Sequence, residues 1–316
     1  MRVISLLPAA TEIVASLGKA DTLVGVSHEC DYPALVNAKP RITHCSIHGA
    51  GLASADIDRW VAETLLSNGT LYTLDESLLR DLKPEIILTQ RLCDVCAVDY
   101  GSVQAFASTL PGPPQVVNLE PDSLADIFEN IQLVGQILGV PERAGIVVGE
   151  LMARVQAIKD RVSQVNRPRC FLMEWIDPPY CSGHWGPELV EIAGGIEPLG
   201  LKGKDSVRIR WESVVEAQPE VIVLACCGND VSRSLEDLPI LAGYPGWQSL
   251  PAVSGGRVWA VNGSAYFSRP GPRIVDSLEI LAEILHPELF RGTFPDRGVK
   301  RALNKPAARE SLPGTR

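Results

Sequence analysis

Short runs of β-branched and aliphatic residues alternate along this chain with longer stretches whose apolar residues recur every three or four positions. The short runs lie at 3–7, 23–26, 86–88, 116–119, 170–175, 221–224 and 258–261. Near-continuous apolar runs of this length predict strands buried on both faces, as in a parallel sheet. Helical patterns follow at 11–17, 123–138, 187–193 and 273–285. Ser123 is a predicted N-cap, with Asp126 as its capping-box partner. Strands alternating with helices predict an α/β fold built on parallel sheets.

The pattern is written twice. Leu82-Lys83-Pro84-Glu85-Ile86-Ile87-Leu88 returns as Ala217-Gln218-Pro219-Glu220-Val221-Ile222-Val223-Leu224. In each copy a proline stops a helix and a buried strand follows. Between the copies, residues 141–165 form a helical pattern opened by Pro141, with Leu151, Val155, Ile158 and Val162 on one face. A rise of about 1.5 Å per residue makes it roughly 35 Å long, enough to join two lobes stiffly. The expected organisation is an N-terminal lobe (1–122), connecting helices (123–166), a C-terminal lobe (167–290) and a tail (291–316). The tail is rich in Pro, Gly, Lys and Arg without apolar periodicity, so it is expected to be loose.

Composition narrows the function classes. A chain of 316 residues, 46% hydrophobic and 21% charged, is ordinary globular material. Its net charge of -9 disfavours nucleic acid as a partner. No run approaches the roughly 20 apolar residues of a membrane span; a monomer that does not span a membrane is expected. The apolar start is too short for a secretory signal, which predicts a cytoplasmic protein as written; a start further upstream would make it periplasmic or extracytoplasmic. The 8 cysteines show no spacing of a disulfide-stapled domain, so reduced thiols are expected.

Ligands of open parallel sheets bind beyond the carboxyl ends of the strands. The loops there hold the candidate site. Cys93-Asp94-Val95-Cys96 is open to three readings: a metal half-site, a redox dithiol or loop packing. His28 and Cys30, two apart in an expected extended segment, would point the same way and complete a metal set of His28, Cys30, Cys93 and Cys96 for zinc or iron. His44 and His48 around Cys45 are a weaker candidate. Trp175, Trp185 and Tyr266 offer flat faces to a large planar ligand, core packing being the other role open to the tryptophans. Arg269, before the last helix, either holds a ligand oxygen or forms an ion pair. Pro8, Glu29, Gln90 and His184 complete the expected lining. No Gly-x-Ser-x-Gly elbow, phosphate loop or His-Glu-x-x-His helix is present. Binding without catalysis is expected.

Several stretches together resemble one family. They are Val3-Ile4-Ser5-Leu6-Leu7-Pro8-Ala9-Ala10-Thr11-Glu12-Ile13, Ser27-His28-Glu29-Cys30-Asp31-Tyr32-Pro33, Lys83-Pro84-Glu85 through Gln90 with Cys93 and Cys96, Gly183-His184-Trp185-Gly186-Pro187-Glu188-Leu189, and Phe267-Ser268-Arg269-Pro270-Gly271-Pro272-Arg273. They resemble cobalamin-binding proteins of the ferric-siderophore/cobalamin periplasmic-binding-protein superfamily, over about residues 2–290. The resemblance implies two Rossmann-like lobes with parallel-sheet cores joined by a long rigid helix. It also implies a corrinoid held in the cleft with little closure, no required cofactor, and an ABC permease and ATPase as partners. Cys226-Cys227-Gly228-Asn229-Asp230 departs from the family pattern, where one cysteine and a hydrophobic residue after the glycine are expected. Two alternatives stay open: an intracellular metal-binding or redox protein using the Cys-x-x-Cys and His28 region, and a haem or ferric-siderophore binder on the same fold.

Overall fold

The structure is a computed structural model that describes residues 1–45, 51–68, 70–90, 100–295 and 297–303. The first half contributes strands β1 (Val3–Ser5), β2 (Leu23–Val26), β3 (Thr43–Cys45), β4 (Tyr72–Leu74), β5 (Ile86–Thr89) and β6 (Gln115–Asn118). The second contributes β7 (Cys170–Trp175), β8 (Tyr180–Cys181), β9 (Val221–Leu224), β10 (Val258–Ala260) and β11 (Lys300–Arg301). One sheet runs β2-β1-β5-β6 and is parallel throughout. The other runs β11-β10-β9-β7-β8, with a parallel centre and an antiparallel strand at each edge. β3 and β4 form a separate antiparallel ribbon. The α/β class with parallel-sheet cores is as expected.

Helices α1 (Pro8–Ser16), α2 (Ser54–Asn68), α3 (Glu76–Leu82), α4 (Tyr100–Ser108), α5 (Leu124–Ile137), α6 (Pro141–Arg161) and α7 (Gly186–Ile192) pack around these sheets. Strand residues alternate between two faces because side chains along a strand do. Val3, Ile86 and Leu88 enter one core, while Ile4 and Ile87 meet Leu79 of α3 and Phe106 of α4 on the other face. In the second sheet Leu172, Val221 and Val223 face α7 and helix Ile274–Leu285, and Phe171, Ile222 and Leu224 face Trp211 and Trp247. Each such aliphatic side chain contributes about 1.5–3 kcal/mol by leaving water.

The duplication read from the sequence extends to individual hydrogen bonds. Before each proline the helix ends on a left-handed residue, Lys83 at φ 43° and Gln218 at φ 47°. The glutamate after the proline then accepts from the residue before the neighbouring strand: Arg2 N to Glu85 at 2.6 Å, and Arg169 N to Glu220 at 3.0 Å. Each arginine also turns its Nε onto the preceding helix end, Arg2 to Leu82 O at 2.6 Å and Arg169 to Gln218 O at 3.0 Å. Both lobes therefore start their central strand pair with the same clamp.

Ser123 caps α5 with Asp126 completing the box, as expected. α6 has 21 residues, about 31 Å at 1.5 Å per residue, and ends at Arg161 rather than 165. α5 and α6 approach closely at Gly135, where an added Cβ would lie 2.4 Å from that of Ala144. One continuous core runs from α1 and β1 through α5 and α6 to β7, β9 and helix Ile274–Leu285. Close-packed interiors deform little, so this shared core stiffens the relation between the two sheets.

The described part of the tail, residues 291–295 and 297–303, is tied down, against the expectation of a loose segment. Arg297 bonds Asp276 at 3.2 Å and Glu279 at 2.7 Å, two carboxylates that also hold Arg154 of α6. β11 then pairs with β10, and the Arg301 guanidinium lies 4.8 Å from the Trp259 ring centre. Residues that looked like free tail charge are counter-charges and an edge-strand cover.

Candidate functional site

The parallel strands of both sheets end in polar loops, and these carry the candidate residues. β1 leads to Pro8, the first residue of α1; β2 leads to His28, Glu29 and Cys30; β5 leads to Gln90. From the other sheet, β7 ends at Trp175, the turn after β8 carries His184 and Trp185, and the segment after β10 carries Tyr266 and Arg269. Cys93 and Cys96, like His48, lie outside the described residues.

A charge cluster joins the lobes. Arg269 is 4% exposed, and its guanidinium reaches Asp31 at 2.5 Å, Glu12 at 3.2 Å and the carbonyl of Glu29 at 3.4 Å. Glu12, 3% exposed on α1, is gripped by a second cation, since Arg273 donates to its two oxygens at 2.8 and 2.5 Å. The Arg273 guanidinium lies 4.0 Å from the ring centre of Tyr32 and 5.3 Å from that of Tyr266. Burial alone would raise the Asp31 carboxyl, but the Arg269 hydrogen bond and charge hold it below the usual carboxylate value. Of the two roles open to Arg269, the structure shows the ion pair.

The aromatic candidates separate. The Trp185 indole is buried, donates to Phe267 O at 3.0 Å and stacks on His184 at 5.5 Å. It is a packing residue, which corrects the expectation of an open face for a flat ligand. His184 is held at φ 46°, with Asp122 at 3.4 Å across the lobe boundary. Trp175 and Tyr266 keep partly exposed rings. The Trp175 indole donates to Ser54 O at 3.2 Å and Asp177 O at 3.1 Å.

His28 and Cys30 do not point the same way. Residues 27–30 form a turn closed by Cys30 N to Ser27 O at 3.2 Å, not an extended segment. The Cys30 thiol is 1% exposed among Thr11 (3.1 Å) and Ser27 (3.2 Å), and burial raises its pKa. The His28 ring goes elsewhere, to Thr43 Oγ1 at 2.7 Å, Glu29 at 3.2 Å and the Tyr72 ring at 5.4 Å. Cys30 therefore leaves the proposed metal set. Among the described residues, no group of three or more His, Cys, Asp or Glu side chains could hold a metal ion. Cys30, Cys170, Cys181 and Cys226 are buried free thiols.

Two features escaped the sequence reading. Residues 51–58 cross to the C-terminal sheet as a strap. Leu52 O accepts from Arg233 at 2.8 Å, the Ser54 hydroxyl donates to Asp237, and Asp58 accepts from Tyr180 at 3.2 Å and Arg208 at 2.7 Å. Asp58→Ala removes two of these ties. It is expected to change global stability by less than about 1 kcal/mol, since Arg208 is exposed, while amides 51–60 exchange with deuterium several-fold faster. Unchanged exchange would mean that Leu52 and Ser54 alone hold the strap. The second feature is a pair of acids under the C-terminal loops. Burial pushes Glu174 up to about 7, although Gly183 N donates to it at 3.1 Å. Burial likewise pushes Glu197 up to about 8, against donation from the backbone of Leu172, Leu199 and Gly200.

Loop-borne polar and aromatic residues over the strand ends of two linked parallel sheets define a two-lobed ligand-binding protein. The chain belongs to the periplasmic binding protein family, which matches residues 3–264. Among curated proteins it is similar to the vitamin B12-binding protein of Vibrio cholerae, 23% identical over 285 residues, covering 88% of this chain and 86% of that one. Among solved structures it resembles the periplasmic vitamin B12-binding protein of Vibrio cholerae, with a TM-score of 0.65, 22% identity and coverage of 90% and 96%. The periplasmic haem-binding protein of Roseiflexus sp. RS-1 in apo form gives 0.67, 20% identity and coverage of 90% and 98%. Family members of this kind are substrate-binding proteins. No helix of the described residues is long and apolar enough to cross a membrane.

Proposed function

We propose that this chain is a non-catalytic carrier that binds cobalamin or a related corrinoid reversibly between its lobes and presents it to an ABC permease and ATPase. The observation that carries the reading is its similarity to a vitamin B12-binding relative across both lobes. The chain's own residues are consistent with it. Trp175 and Tyr266 over one sheet, and His28 beside Tyr72 over the other, suit a large flat ligand with polar edges. The contacts would come from Pro8, His28, Glu29 and Gln90 in a lobe of residues 1–122, and from Trp175, His184 and Tyr266 in one of residues 167–290. The core shared through 123–166 suits binding with little closure. Family membership favours work outside the cytoplasmic membrane, which fractionation of expressing cells checks.

Titration of the purified, reduced protein with cyanocobalamin and hydroxocobalamin by calorimetry tests the proposal, with haemin and a ferric hydroxamate run beside them. One-to-one saturation by a corrinoid is expected. Trp175→Ala should then weaken it at least tenfold, about 1.4 kcal/mol. Saturation by haemin or the hydroxamate alone would replace the corrinoid with that ligand. A protein carrying about one zinc or iron, with no affinity for any of the four, would favour the metal-handling reading.

A further inference from the structure

On the far side of the C-terminal sheet, where β7, β9 and β10 begin, lies a cavity of about 550 Å³. It opens at the end of the strands opposite to the loops described above. Three guanidinium groups line it: Arg167 before β7, Arg257 before β10 and Arg301 of β11. None of the three has a carboxylate partner among the described residues. Arg167 donates to the carbonyls of Glu191 (2.6 Å) and Gly195 (3.0 Å). Arg257 donates only to the carbonyls of Ile284 (3.4 Å) and Leu285 (3.0 Å), at the end of the last long helix. Arg301 covers the Trp259 ring. Of the two acids in the wall, Glu220 bonds Arg169 and Glu288 lies 3.4 Å from His286, while both attract Arg257 at longer range.

Trp259 is also in the wall, and its indole Nε1 is buried without a hydrogen-bond acceptor. Burial pushes Arg257 below the ordinary guanidinium value, against the attraction of Cys170, Glu220 and Glu288 and with Arg301 adding repulsion. Three cations thus line a hollow on a chain whose net charge is -9. Its two wall carboxylates, Glu220 and Glu288, bond none of the three guanidinium groups. Its wall also includes Trp259 and the apolar helix end at Ile284 and Leu285.

We infer that this cavity is a second binding site, for a small organic anion bearing phosphate or carboxylate groups. The guanidinium groups of Arg257, Arg167 and Arg301 pair with its oxygens, as planar guanidinium forks do. The ring of Trp259 and the helix end receive its apolar body. The site depends on no contact in the inter-lobe region, so it stands apart from the corrinoid reading.

The test uses the full chain labelled with nitrogen-15, whose six tryptophans give few indole signals. Trp259→Phe assigns the Trp259 N–H resonance by its loss. Pyrophosphate and citrate are titrated separately, the first probing phosphate and the second carboxylate recognition. A saturable shift of the Trp259 signal with either is expected. Arg257→Gln should weaken that binding at least tenfold while leaving Trp175 unshifted. Arg301→Gln, on an exposed side chain, serves as the second variant and should weaken it several-fold. No saturable shift with either anion, or wild-type affinity retained in both variants, would overturn the proposal.

Discussion

Glu12→Ala is expected to destabilise the chain by about 3–5 kcal/mol, the usual loss when one partner of a buried ion pair is removed. Glu12 is 3% exposed and accepts from both Arg269 and Arg273. Without it, Arg273 is left between two tyrosine rings with no carboxylate bonded, and Arg269 keeps only the more exposed Asp31 and the carbonyl of Glu29. Both cations then stay desolvated with too few acceptors. Urea unfolding at pH 7 reads the loss. A triple change, Glu12→Leu with Arg269→Met and Arg273→Leu, should recover most of it, because apolar groups of similar volume replace a buried ion network at little net cost. A loss below about 1 kcal/mol in the single variant would mean that water reaches the cluster. The network ties α1 to the segment after β10, so the same variant should also loosen the lobe junction.

Local patterns were legible in the sequence and distant partnerships were not. The Pro84 and Pro219 repeats could be read because each is complete within eight residues, and Ser123 with Asp126 because a cap needs only three. Glu12 carried a signal of its own, a carboxylate among Ala9, Ala10, Ile13 and Val14 in an apolar helix. Its partners lie 257 and 261 positions away, and no spacing rule reaches that far. Cys30 was misplaced because alternation assumes an extended chain, and the turn at Ser27 breaks it. Trp185 was misplaced for another reason. A tryptophan in a Gly-Pro loop can turn its ring outward or inward, and only Phe267 O, 82 residues on, decides which. The basic tail misled in the same way, since Asp276 and Glu279 look like solvent-facing helix charges until Arg154 and Arg297 are seen against them.

Stability is expected to fall as pH rises from about 4.5 to about 7, and Glu174→Gln should abolish much of that fall. Burial raises the folded-state value of Glu174 from the ordinary 4.5 to about 7. Between those values the folded chain holds a proton that the unfolded chain has released. A group raised in this way stabilises fully below its unfolded value, and that stabilisation is lost as pH rises through the folded one. Each tenfold gain in proton affinity on folding is worth about 1.4 kcal/mol, so the swing for Glu174 is at most about 3.5 kcal/mol. Glu197 acts in the same direction up to about pH 8, with its three backbone donors offsetting part of the burial. Asp31 acts oppositely, since its lowered value makes its contribution fade only as pH falls. Glutamine keeps the shape and an acceptor for Gly183 N but cannot ionise. Wild type and Glu174→Gln should therefore unfold together at about pH 4.5 and separate by about 1–3 kcal/mol at about pH 8, the variant being the more stable. Chemical unfolding across that range measures the gap. A gap independent of pH would show that Glu174 is already ionised in the fold at acid pH, held as a carboxylate by Gly183 and its neighbours despite its burial.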